Sequence, residues 1–290
     1  MSCRMAIQIQ TVAHEDVDES FLTQIRTWVN EVLEIEEVPS SSPSPPPPPP
    51  YLSVSIWETM EKYQDFYQKE KKELGVVTGE ETDFLATHDA WRGYPRIHIC
   101  QERLMGIDGR ILQGVIHHET GHALHHGAPE FYTFRFSNRL QEAGRFYGLD
   151  LPLLQQCVYL LSVAIKDQDV TLWLAKNGLG SSQLALLGYL LSDTEEEHQV
   201  WERIRESHAL RKIAFAAFLK TLLPIEAMIS AGFEGAQIFK DQWDEVYGWL
   251  SDEERKGLSI LARSIMNLEV ETFQERLEQT AFQLITKTCL

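Results

Sequence analysis

Hydrophobic and polar positions change rhythm along this chain. Ala6-Ile7-Gln8-Ile9-Gln10-Thr11-Val12 alternates with period two and predicts a strand. Asp18 and Glu19 then open a helix. Its apolar positions Phe21, Leu22, Ile25, Trp28, Val29 and Val32 recur at helical spacing, and it ends before Pro39. Leu52 to Trp57 predicts a second strand, and a helix rich in Lys, Glu and aromatics follows over Met60 to Leu74. A short strand is expected over Asp83 to Thr87, and a clearer one over Arg96 to Cys100 behind Gly93 and Pro95. Gly106 to Gly109 makes a turn, and Arg110 to His126 predicts a helix stopped at Gly127 and Pro129.

Beyond residue 130 the strand pattern nearly vanishes. Leu151 to Lys176 predicts a long helix ending at Gly178. Asp193-x-x-Glu196 and Ser251-x-x-Glu254 have the form of capping boxes, and Val270 to Ile285 closes the chain as an amphipathic helix. The fold class expected is α+β: a small mixed sheet with a site-bearing helix, then a mainly helical C-terminal part. Residues 1–130 are read as a mixed α/β lobe and 131–290 as a helical lobe, with the site between them. The lobe 1–130 carries a Pro-rich insertion at 39–50, ending in six consecutive prolines. Such a run prefers polyproline II and is read as a stiff spacer.

Composition narrows the class of partner. The 290 residues carry a formal net charge of -17, which repels phosphate backbones and argues against nucleic-acid binding. The four cysteines, Cys3, Cys100, Cys157 and Cys289, form no C-x-x-C pair, so neither a disulfide framework nor a Cys-type structural metal site is expected. No leader pattern opens the chain, and no window is read as long and apolar enough to span a bilayer. A cytoplasmic protein without membrane contact is the expectation.

The chemistry concentrates in His118-Glu119-Thr120-Gly121-His122. Histidines four apart on a helix project from one face, as two zinc ligands require. Glu119 is rotated by about 100° from His118, so it can flank a metal without ligating it and act as general base on the attacking water. Zinc needs a third protein ligand. Asp167 and Asp169 lie in the long apolar helix at opposite edges of its apolar face, so periodicity leaves both open. Glu142, twenty residues after His122, is a further candidate. His125 falls one turn beyond the pair and is read as a helix-end residue. Tyr132, His198 and His208 are possible oxyanion partners.

With these residues in place, Tyr94 to Gly127 resembles the active-site core of the zincin metallopeptidases. That resemblance implies a zincin-like sheet and a Zn2+ site with His118 and His122 as ligands and Glu119 as catalytic base. It also implies a peptide or protein substrate, received by Arg96 to Cys100 acting as the sheet edge. Lys166-Asp167-x-x-Val170 is similar to the aspartate-bearing helix of uncharacterised zincin-like prokaryotic families, which implies Asp167 as third ligand. The metzincin pattern fails, because positions 125 and 128 are His and Ala. Glu142 has the spacing of thermolysin-like enzymes but lacks the Asp that follows it there by four. Two further readings stand beside the peptidase: a non-proteolytic metal-binding or scaffold protein keeping a zincin core, and a helical protein storing or sensing a transition metal through the five histidines of 117–126.

Overall fold

The structure, a computed structural model, describes residues 7–14, 16–35, 51–75, 84–192 and 195–287. The Pro-rich run at 39–50, Cys3, Cys289, Asp83 and Asp193 lie outside the described residues. The chain divides into two compact units, which meet in sequence between Thr133 and Phe134. Together they are the mixed α+β protein expected, a small four-stranded sheet with helices followed by a mostly helical part.

In the first unit, β1 (Gln8–His14), β2 (Tyr51–Trp57), β3 (Ala86–Asp89) and β4 (Arg96–Cys100) form one sheet in the order β1-β2-β4-β3. β1, β2 and β4 run parallel, and β3 pairs antiparallel with β4. Parallel neighbours need crossover connections. α1 (Glu19–Leu33) supplies the first and α2 (Met60–Leu74) the second. Each helix is capped from its own sequence: the Asp18 side chain accepts from the Phe21 N–H, and Thr59 from the Lys62 N–H. β2 is buried from Leu52 to Trp57 on both faces, which explains why its serines, Ser53 and Ser55, are also enclosed.

The expectation that Arg96 to Cys100 is a sheet edge is corrected: β4 is paired on both sides. The edge strands are β1 and β3, and β3 is the one beside β4. Asp89 of β3 stands opposite Arg96 in the register and is ion-paired with it. A short helix, α3 (Gln101–Leu104), leads from β4 towards α4 (Gly109–His125), the site helix. Asp108 caps α4 by accepting from the Arg110 N–H. Gly127 is fixed by sterics. A Cβ there would lie 2.2 Å from the Ala123 carbonyl oxygen and 2.8 Å from Pro95 Cβ. A 3-10 turn, Pro129–Tyr132, closes the unit.

The second unit is helical: α5 (Asn138–Phe146), α6 (Leu151–Leu174), α7 (Gly180–Leu190), α8 (Glu195–Ile204), α9 (His208–Ser230), α10 (Ala236–Val246), α11 (Asp252–Met266) and α12 (Phe273–Thr286). α6 and α9 are its packed centre, contributing Leu161, Ala164, Ile165, Phe215, Leu219 and Leu222 to the core. The helix expected to end at Gly178 does break there: Asn177 (φ -102°, ψ 20°) and Gly178 (φ 86°) leave helical geometry, and α7 begins beyond the kink at Gly180. The Ser251–Glu254 capping box forms as read. The reading that no segment reaches membrane-spanning length is corrected. α9 has a mean hydropathy of 1.6 over its most apolar window, but 72% of that window is buried inside the fold. Its apolarity follows from its place in the core.

Candidate metal centre

α4 presents two faces. On one, His117 is fully buried, and its Nε2 lies 2.8 Å from Glu31 Oε2 of α1, which also accepts from Gln113 Nε2 at 2.9 Å. Burial lowers the His117 imidazole below its ordinary value, against the pull of Glu31. This contact fixes the rotation of α4. One residue on, about 100° around the helix, begins the face that carries His118, Glu119 and His122.

His118 Nε2 and His122 Nε2 stand 3.0 Å apart. Their rings are nearly perpendicular, with centroids at 4.6 Å. Two nitrogen ligands on a tetrahedral zinc, each at about 2.0–2.1 Å, stand about 3.3 Å apart, so the pair fits a shared cation closely. The hydrogen bonding of His122 fits as well. Its Nδ1 faces His126 Nδ1 at 3.2 Å, and His126 is fully buried. With the His122 proton on Nδ1, donated to His126, the Nε2 lone pair would be left for a metal ion.

Glu119 is held from the sheet. His88 of β3 places Nδ1 2.6 Å from Glu119 Oε2, and both side chains are largely buried. The same His88 ring stacks on His122, with centroids 4.1 Å apart and planes inclined by 11°. Tyr132 lies near His88, with ring centroids at 6.2 Å. Burial, with Asp89 and Glu119 nearby, raises its phenol well above the ordinary value, so it remains protonated.

The strand carrying His88 is anchored by a buried ion network. Arg96 donates from Nε and Nη2 to Asp89 at 2.8 and 2.9 Å, and from Nη1 and Nη2 to Glu70 at 2.8 and 2.5 Å. Asp89 also meets His98 Nε2 at 3.1 Å, while His98 Nδ1 accepts from Trp57 Nε1 at 3.4 Å. Burial alone would raise Asp89 and Glu70. His98 and Arg96 outweigh it at Asp89, and Arg96 and Arg92 do so at Glu70, leaving both below the usual carboxylate range. Carboxylates depressed in the folded state contribute stability that is complete above their unfolded pKa of about 4 and lost as pH falls through the folded values. Unfolding free energy measured between pH 6 and pH 2 is therefore expected to decline below about pH 4. A flat profile to pH 2 would contradict this account of the network.

The remaining sequence candidates belong to α-helices of the second unit, apart from His125. Asp167 and Asp169 both lie on α6. Asp169 accepts from Arg276 Nη1 of α12 at 2.7 Å. Asp167 is half-buried, and Glu142 is exposed on α5. His198 stacks on Trp249, and His208 on Tyr147. His125 closes α4, and burial lowers its imidazole to about 4, so it is neutral at ordinary pH. The sequence pattern did not point to His88, and it placed His126 in the histidine cluster of 117–126 without assigning it a role. The H-x-x-x-H spacing of His122 and His126 is the signal that could have paired the two. Comparison with family models, with curated proteins and with solved structures returned no match.

Proposed function

We propose that this chain is a zinc-dependent hydrolase, a metallopeptidase of zincin type. The observation that carries the reading is the convergence of the His118 and His122 Nε2 atoms at 3.0 Å, with the Glu119 carboxylate held beside them by His88. Asp167 is the third ligand in this reading. Two imidazoles and a carboxylate form a donor set suited to one metal ion. Two observations favour Asp167 over its rivals: Asp169 is ion-paired with Arg276, and Glu142 is exposed.

When bound, zinc polarises the scissile carbonyl and makes water acidic at neutral pH. Glu119 takes the proton of the attacking water and delivers it to the leaving amine nitrogen. His118 and His122 hold the ion through Nε2, and His126 keeps His122 in the required tautomer. The substrate is a peptide or protein and the working compartment the cytoplasm, in keeping with the buried free thiols of Cys100 and Cys157.

The test is the zinc content and affinity of untagged protein. One zinc per chain is expected. His118→Ala, His122→Ala and Asp167→Ala should each weaken binding by more than about 100-fold, beyond the cost of losing an outer partner. Asp169→Ala should leave affinity within about tenfold, the lower bound for such a partner. Zinc retained at wild-type affinity in the His118→Ala/His122→Ala double variant would sink the assignment. Zinc binding without turnover across a broad peptide library would favour the non-proteolytic scaffold instead.

A further inference from the structure

We propose that His88 is the positioning residue of this centre. It holds the Glu119 carboxylate by a hydrogen bond and the His122 ring by stacking, and the proposal rests on the metal-site reading above. One imidazole makes both contacts, the 2.6 Å hydrogen bond through Nδ1 and the 4.1 Å stack through its face. A glutamate side chain has three rotatable bonds, and a base that wanders among rotamers spends little time aimed at the reacting water. His88 selects one of them. The parallel stack against His122 restricts rotation of that ring, so His122 is restrained on its face by His88 and at its Nδ1 edge by His126.

The placement follows from the strand. Successive side chains on β3 point to opposite faces. Asp89 turns into the Arg96–Glu70 network, and His88 therefore turns towards α4. Packing alone would not require this residue, because an apolar ring fills the same space. A histidine with 15% of its side chain exposed, directing a donor at the Glu119 carboxylate, answers a polar requirement.

Three substitutions separate the two contacts. His88→Phe keeps a ring against His122 and loses the hydrogen bond. His88→Asn sets an amide donor where Nδ1 stood and loses the stack. His88→Ala loses both. The probes are zinc itself, measured by competition with a chromophoric chelator, and Co2+, read by its visible absorption. His88→Ala is expected to weaken zinc by about tenfold or more and to change the Co2+ band shape. The Phe and Asn variants should each recover part of the affinity, with the band shape closer to wild type in Phe. Where wild type hydrolyses a peptide, His88→Phe should lower kcat with KM unchanged. If folded His88→Ala matches wild type in zinc affinity and Co2+ spectrum, the proposal is overturned. Should that variant fail to fold, wild-type affinity in both the Phe and Asn variants overturns it equally. A wild-type chain that binds no zinc is a different result and removes the metal reading itself.

Discussion

Glu119→Gln is expected to bind one zinc per chain and to lose hydrolysis by a factor of about 10²–10⁴, the usual worth of a general base. The substitution is nearly isosteric. The glutamine carbonyl can still accept from His88 Nδ1, so the local geometry survives. What it loses is the capacity to take a proton. Because Glu119 is not a ligand in this arrangement, metal content should not change. The decisive comparison is turnover of one peptide substrate by the two proteins at equal zinc occupancy. Equal rates would rule out Glu119 as the base, and a variant without zinc would mean that its carboxylate helps to hold the metal.

Arg96→Met is expected to be the most damaging single change outside the centre, costing about 3–5 kcal/mol. The guanidinium makes four hydrogen bonds to two carboxylates, and Asp89 and Glu70 are each only 2% exposed. Removing it leaves two buried negative charges facing one another. Arg92 still reaches Glu70 and His98 still reaches Asp89, so the network is damaged rather than abolished. Replacing Arg96, Asp89 and Glu70 together by apolar residues should cost less, because no charge is then stranded. Urea unfolding reads both variants. A loss below about 1 kcal/mol for Arg96→Met would place the pair among surface ion pairs and refute the assignment.

The parts of this fold legible in the sequence are those decided locally. α2 and β4 fall on the residues where periodicity put them, and α4 begins beside its Asp108 cap and ends before Gly127, as its stop residue implied. The His118–His122 pair was legible because helical geometry alone brings i and i+4 together. Sheet order was not. An alternating strand says which way its side chains point and nothing about its neighbours, so β4 could be mistaken for an edge. β3 is four residues long and polar at Thr87, His88 and Asp89, too short for a period to declare itself. His88 therefore stayed hidden, being 31 residues from the carboxylate that it serves. The pairing of Asp169 with Arg276, 107 residues away, was equally hidden, because no wheel drawn on α6 alone includes it.

α9 has a consequence for how the protein comes into being. Its 23 residues make a rod about 35 Å long, apolar on nearly all sides. During synthesis such a segment would be held by whatever apolar surface it met first. Chain order resolves this, because α6, its main partner in the core, is made before it. The residues of α6 that α9 packs against are therefore already synthesised when α9 emerges. A chain rearranged so that α9 came first would present that rod unsheltered, and its yield on refolding would fall as protein concentration rose.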